Sequence, residues 1–248
     1  MEMLTMFRMD LHIHSCLSPC GDPASVPTRI ISGALQKGLQ AVALTDHNAS
    51  ENVEPLKRAA EKTGLTVFGG MEITSQEEIH VLAIFDGNDD LASMQELVYD
   101  HLPGRYDGKH FGEQYIVDEQ DYAVGYNEHL LMGATDLSIN QLIEAVHARE
   151  GLAVASHIDR GAFSIISQLG FIPEGMDLDA LELSGNFRKS GFSPDNLSYP
   201  VITASDAHHP DDIGRFATDF FIHTPDIEEI RLALQGVDGR KLKNLYGI

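Results

Sequence analysis

The residues best equipped for chemistry in this chain are imidazoles and carboxylates placed at the ends of short apolar runs. Asp10-Leu11-His12-Ile13-His14-Ser15 closes the first such run. Residues two apart on a strand share a face, so His12 and His14 project into the same space. Leu44-Thr45-Asp46-His47-Asn48 closes the second run, and Gly70-Met71-Glu72-Ile73 follows the third with a carboxylate able to bridge two ions. Glu78-Ile79-His80-Val81 opens a fourth run. Ala155-Ser156-His157-Ile158-Asp159-Arg160 and Ala204-Ser205-Asp206-Ala207-His208-His209 follow two later ones. Any one of these reads equally well as a hydrogen-bonded polar residue at a strand end. Together they commit six of the 12 histidines, with Glu72 and Asp206, to strand ends. Mixed imidazole and carboxylate donors suit zinc, manganese or iron, whereas calcium takes oxygen donors. Burying so many ionisable groups without a cation would be costly.

The elements that must position them follow from the hydropathy pattern. Strand-like runs cover residues 7–13, 41–44, 66–68, 79–85, 152–155, 180–183, 201–203 and 220–222. Amphipathic stretches at 28–37, 52–62, 91–101, 139–150 and 226–235 read as helices between them. Ser138 with Gln141 has capping-box spacing. Thr224 before Pro225 reads as a cap and first-turn proline, and Gly236 as that helix's stop. Strands alternating with helices predict an α/β fold with a parallel, barrel-like sheet. All strand C-termini of such a barrel open on one face, where catalytic groups gather. Residues 103–135 break the rhythm with glycine, tyrosine and acids; extended segments at 114–117 and 122–124 predict an inserted hairpin or lid. We expect a single domain over residues 1–248, because that insertion is too short for its own core.

Composition narrows the partners. The chain has 248 residues, 38 acids against 17 bases, a net charge of -21 and 43% hydrophobic residues. It can bury a core, and it lacks the basic surface of a general nucleic-acid or anionic-membrane binder. The first eight residues carry an acid and no long apolar run, unlike a signal peptide. No stretch approaches the roughly 18 apolar residues of a membrane helix, and Cys16 and Cys20 cannot build a disulfide framework. A cytoplasmic protein with no membrane partner is expected. No glycine-rich phosphate loop is present, so no nucleotide cofactor is expected.

In this order and spacing the six segments resemble the PHP (polymerase and histidinol phosphatase) superfamily of metal-dependent phosphoesterases. Asp-Leu-His-Ile-His-Ser is similar to its first motif, Leu-Thr-Asp-His-Asn to its second, Gly-Met-Glu-Ile to its third and Ser-Asp-Ala-His to its last. The resemblance implies a distorted (β/α)7 TIM-like barrel holding two or three divalent ions (Mn²⁺, Zn²⁺ or Fe²⁺). It implies that His12, His14, Glu72 and Asp206 hold the first ion. Glu72 would bridge to a second ion bound by His80 and His157, and His47 and His208 would bind a third. The family's remaining third-site ligand is an Asp or His shortly after the first motif. This chain departs there, reading Ser15-Cys16-Leu17-Ser18-Pro19-Cys20-Gly21-Asp22, with Cys20 or Asp22 as the candidate. Asp46 would orient a histidine ligand by hydrogen bonding. Arg160 resembles the arginine that binds a substrate phosphate in small-molecule members, and its planar fork suits that anion.

The expected chemistry is hydrolysis of a phosphoric ester by water that two bridged ions make acidic, with His208 or His209 assisting the leaving alkoxide. Three divalent ions would still leave the chain strongly acidic. A small phosphorylated metabolite (a nucleotide, or a sugar or amino-alcohol phosphate) is therefore the expected substrate. Three readings compete: a short-oligonucleotide exonuclease or phosphodiesterase, a non-catalytic metal-binding module, and a related amidohydrolase barrel, which also begins with His-x-His. The other histidines, His101, His110, His129, His147 and His223, read as surface or packing residues.

Overall fold

A computed structural model describes residues 3–106, 112–190, 192–193 and 197–244; His110 lies outside them. In chain order the first elements are β1 (Thr5–Ile13), α1 (Pro27–Gln36), β2 (Ala41–Leu44), α2 (Val53–Ala60), β3 (Thr66–Thr74), β4 (His80–Phe85) and α3 (Asn88–His101). A hairpin follows, β5 (Tyr115–Val117) and β6 (Ala123–Tyr126), then α4 (Ile139–His147), β7 (Leu152–Ala155), α5 (Ile165–Leu169) and β8 (Ala180–Leu183). The last elements are α6 (Phe187–Ser190), β9 (Val201–Thr203), β10 (Thr218–Ile222), α7 (Ile227–Gln235) and β11 (Lys241–Lys243).

Nine strands form one curved sheet in the order β11-β10-β1-β2-β3-β4-β7-β8-β9, and β5-β6 stand apart. The expected α/β barrel is present, nearly closed, but the sheet is mixed rather than parallel. β4 runs antiparallel to both β3 and β7. This reversal has a use. Thr74, the last residue of β3, pairs with His80, the first of β4. A histidine that leads its strand thereby reaches the same rim as residues that end theirs.

The sheet has two buried faces. The inner one packs Met9, Leu11, Ala43, Phe68, Leu82, Ile84, Val154, Ala180, Ile202 and Phe220, with Ile227 and Ile230 of α7 closing the far end. The outer one packs Val42, Leu44, Met71, Ile73, Val81 and Ala155 against α1, α2, α3 and α4. Strand alternation puts Glu72, His80 and Glu182 on the inner face, above the apolar layers. In β1 the alternation changes parity. Met9 and Leu11 face inward, yet Ile13 joins the outer cluster. The β1–β2 register slips between Asp10 and Ile13, and a slip of this kind re-aims side chains. It turns His12 and His14 into the mouth.

Asp10 closes the remaining gap. Its buried carboxylate accepts from Ser205 N at 2.9 Å and from Gly214 N at 2.8 Å. His14 N donates to Ala207 O at 2.9 Å, tying the β1 end to the loop after β9. On the rim, Asn48 Nδ2 donates to Leu131 O and Gly133 O, Tyr115 N to Cys16 O, and Thr135 Oγ1 to Thr74 O. These bonds stitch the segment around β5-β6 to the ends of β1, β2 and β3.

At one place a local signal resolved differently. The last long helix starts at Ile227, where Asp226 caps it by accepting from Glu229 N. Thr224 donates to Asp226 instead, so the expected Thr224–Pro225 cap gives way to a carboxylate two residues on. The Ser138–Gln141 capping box forms as spaced. Replacing Asp10 by Ala strands two buried N–H groups, which should lower stability by about 2–4 kcal/mol. Calorimetric melting checks this, and an unchanged Tm would show that Asp10 does not hold the closure.

Candidate metal centre

The site is built around one carboxylate. Glu72, on β3 and 1% exposed, has five imidazoles within 3.4 Å of its oxygens. His80 Nδ1 lies 2.9 Å and His157 Nε2 3.1 Å from Oε1, with His12 Nε2 at 3.4 Å. His47 Nδ1 lies 3.1 Å and His14 Nε2 3.4 Å from Oε2. Asp206 enters from the loop after β9: its Oδ1 is 3.1 Å from His14 Nε2 and 3.3 Å from His12 Nε2. Donor atoms thus converge in three sets: His12, His14, Glu72 and Asp206; His47, Glu72 and His80; and His14, His47 and His208. His157 reaches the group through Glu72.

Partners behind the rings fix how they face. His12 Nδ1 is 2.9 Å from Glu182 Oε2, so its Nε2 is the nitrogen turned to the mouth. His14 Nδ1 is 3.0 Å from Ser18 Oγ, leaving Nε2 forward. Ser18 Oγ in turn donates to Asp46 Oδ1, which also accepts from Ser15 N, while Asp46 Oδ2 accepts from Ser15 Oγ. Asp46 therefore acts on His14 through Ser18 and touches no imidazole itself. The carboxylate directly behind a ring is Glu182, which sequence analysis missed: a lone acid in Ala-Leu-Glu-Leu reads as an ordinary strand, and its one signal is that alternation turns it inward. His80 is held from outside by Phe163, whose ring stacks on it at 4.7 Å and whose carbonyl accepts from His80 N at 2.9 Å.

The backbone is strained where ligands meet. His157 (φ 30°) and Asp206 (φ 48°) both adopt left-handed conformations, which cost of order 1–3 kcal/mol each and cluster at functional sites.

Electrostatics favour bound cations. Burial alone would raise the Glu72 carboxyl, but His80, His12 and His47 outweigh it and hold the group well below the usual carboxylate range. Burial would lower His14, yet Asp206 and Glu72 lift it to about 9. Burial pushes His47 well down and His208 to about 4, so both are neutral near pH 7 with a lone pair to offer. The cluster answers its buried carboxylates with protons on some rings and open lone pairs on others, and a cation competes for the same places.

The donor set fits divalent metal. Ligands bound about 2.0–2.2 Å from one ion sit roughly 3–3.5 Å from each other, as these do. Asp206 Oδ2 is buried and is met by the Arg160 guanidinium rather than by a hydrogen-bond donor within the cluster.

The remaining expected residues are at the rim. Arg160 Nη2 lies 2.5 Å from Asp206 Oδ2, an ion-pair contact outside hydrogen-bond geometry, with 44% of the side chain exposed. His208 Nδ1 is 2.9 Å from Asp206 O. His209 is exposed, with Nδ1 2.9 Å from Asp22 Oδ2. Asp22 also accepts from Ala24 N, and with that bond foremost, then His209, its carboxyl is held down; it is turned from the cluster. Cys20 is an exposed thiol at the mouth. It joins none of the three donor sets. His14 stands in the third set in its place. His101 pairs with Asp136, His147 with Asp179, and His129 stacks on Tyr99, all outside these sets.

Comparison with known proteins decides the lineage. The family model for the PHP domain matches residues 10–169, and one described as PHP-associated matches residues 188–236. The chain belongs to the PHP family. Its fold is similar to the lesion-specific endonuclease Q of Pyrococcus furiosus, with a TM-score of 0.73 and 22% identity over 96% of this chain and 58% of that one. In sequence it is 29% identical over 214 residues to the error-prone DNA polymerase of Mycobacterium tuberculosis, covering 82% of this chain and 19% of the polymerase. It is 26% identical over 191 residues to the 5'-3' exoribonuclease of Haemophilus influenzae, covering 60% of this chain and 68% of that protein. The chain spans less than a third of the length of the first curated relatives it matches. Among the described residues no helix is long and apolar enough to cross a membrane.

If this PHP site binds metal, manganese in roughly 1,000-fold excess over its Kd should add about 4 kcal/mol. That corresponds to a Tm rise of about 10 °C at this size. Glu72→Gln, which keeps the shape, should remove most of the shift. An equal shift in both proteins would exclude Glu72 as a ligand.

Proposed function

We propose that this chain is a metal-dependent phosphoric ester hydrolase acting on a small phosphomonoester. The observation that carries it is one buried carboxylate ringed by five imidazoles, with an arginine at the rim. His12, His14, Glu72 and Asp206 would hold one cation, and Glu72 with His80 and His157 a second. His47 and His208 would hold a third, with His14 beside them and Cys20 or Asp22 no closer than the rim. Divalent cations held there supply acidified water and neutralisation of phosphoryl charge.

The chain's own groups do the rest. Arg160, half out in solvent, is placed to trade Asp206 for a phosphoryl group, to two of whose oxygens its fork can donate at once. His208 has Nδ1 committed to the Asp206 carbonyl, which leaves Nε2 as a lone pair and favours a ligand role. His209 has Nδ1 committed to Asp22 and is the better candidate to pass a proton to the leaving alkoxide. Glu182, and Asp46 through Ser18, keep the Nε2 atoms of His12 and His14 aimed inward.

Substrate size is argued from charge and cover. A chain at -21 repels long polynucleotides except at the cations themselves. We read the described residues 103–106 and 112–135 as a roof inserted into the barrel, tied to the rim by the bonds of Asn48 to Leu131 and Gly133 and of Thr135 to Thr74; the rest of the expected 103–135 insertion and of the expected single domain 1–248 lies outside the described residues. A short-oligonucleotide nuclease is the second reading, favoured by the likeness to endonuclease Q and to the exoribonuclease.

The manganese-loaded protein should release p-nitrophenol from p-nitrophenyl phosphate faster than from bis(p-nitrophenyl) phosphate. The reverse order would favour the nuclease, and no release from either would contradict both. Arg160→Ala should raise KM for the monoester by roughly tenfold to a hundredfold, the weight of a charge-assisted pair. An unchanged KM would remove Arg160 from phosphate binding.

A further inference from the structure

Phe163, in the loop between β7 and α5, holds a backbone conformation that its side chain disfavours. Its φ is 55°, in the left-handed region that glycine and asparagine enter readily and a bulky residue does not. Hydrogen bonds on either side keep it there. Arg160 N donates to His157 O at 2.9 Å, and His80 N donates to Phe163 O at 2.9 Å. Ser164 Oγ donates back to Arg160 O at 2.7 Å, and the same buried serine caps α5 by accepting from Ser167 N. The backbones of Arg160 and Phe163 are thus fixed relative to each other and to the cation donors.

The strained turn serves the ring. Phe163 stacks on His80 with centroids 4.7 Å apart and planes 18° from parallel. His80 Nδ1 in turn lies 2.9 Å from Glu72 Oε1, so the phenyl stands one ring beyond a donor set. A ring placed only to pack His80 would be covered on its other side, as core phenyls are. Phe163 is instead 40% exposed, and among the described residues no second ring stacks on it. Gly161 and Ala162, between it and Arg160, are both exposed, and a side chain at position 161 would meet no atom within 4 Å. The small pair keeps the stretch between guanidinium and ring free of bulk. An open aromatic face of this kind takes a planar ring by offset stacking and needs no hydrogen bonds to do so.

We propose that Phe163 is the platform for a planar ring on the substrate, which makes the substrates nucleoside monophosphates. This rests on the phosphomonoesterase reading and names the class within it. The phosphoryl group meets the cations and Arg160, the sugar crosses the Gly161-Ala162 stretch, and the base lies on the outer face of Phe163. A sugar or amino-alcohol phosphate has nothing to lay there and leaves the phenyl in water.

The test compares adenosine monophosphate with the matching ribose phosphate on the manganese-loaded full chain, two substrates that differ only by the base. The nucleotide should have a KM lower by roughly threefold to tenfold, the weight of one aromatic stack. Phe163→Leu, which keeps apolar bulk and drops the π face, should bring the ratio of the two KM values close to one. Phe163 also touches a cation donor, but a disturbance of His80 falls on both substrates alike and cancels in that ratio. The chain has no tryptophan, so Phe163→Trp keeps a platform and makes it the single indole emitter. Its fluorescence should be quenched on mixing with the nucleotide and hold steady with the ribose phosphate. Equal KM values in the unsubstituted protein, a ratio unmoved by Phe163→Leu, or no quenching specific to the nucleotide would overturn the platform while leaving the phosphatase reading intact. If neither substrate nor p-nitrophenyl phosphate is hydrolysed, the phosphatase reading fails. The tryptophan signal then decides the platform: quenching by the nucleotide alone upholds it, and equal or absent quenching overturns it.

Discussion

The structure is organised around the need to hold Glu72 ionised and buried among imidazoles. A carboxylate at 1% exposure is tolerable only if positive charge surrounds it. Here five rings approach from four segments, two of them from the end of β1 and the others from the loop after β2, from β4 and from the loop after β7. That requirement explains why the barrel departs from an ideal one. A register slip turns His12 and His14 inward from β1, and a reversed β4 brings His80 to the same rim. Left-handed residues at His157 and Asp206 aim two more groups at the centre. Each irregularity costs stability locally, and the packed inner and outer clusters offset it.

A second layer makes the first specific. Glu182 behind His12, Ser18 behind His14 and the Asp206 carbonyl behind His208 each engage one ring nitrogen and so present the other. Burial keeps His47 and His208 neutral, while nearby carboxylates lift His14. The same rings therefore answer the field with a proton or offer a lone pair, according to neighbours they do not share. Arg160 stands where this closed network meets solvent, which gives the rim one cation free to exchange partners.

Much of this was legible in the sequence because strand-end motifs carry both position and chemistry. His12, His14, His47, Glu72, His80, His157, Asp206 and His208 were all marked by type and placement, and the structure brings their side chains to one mouth. What stayed hidden depended on long-range geometry. The antiparallel β4 has no local signature, since an apolar run reads the same in either direction. Glu182 sits in a four-residue strand where a single acid looks incidental. The helices α5 and α6 and the strand β11 are too short for a periodic signal. Cys20 drew attention by falling where a ligand was expected, but His14 fills out the third donor set. Asp46 was expected to orient a histidine and does so through Ser18, whereas Asp22, the other candidate for the third site, pairs with His209.

The most direct measurement is anomalous diffraction from crystals grown with manganese, collected near the manganese edge. The account predicts two peaks flanking the Glu72 carboxylate, one toward His12, His14 and Asp206 and the other toward His80 and His157. Strong peaks elsewhere with none bonded to Glu72 would contradict it.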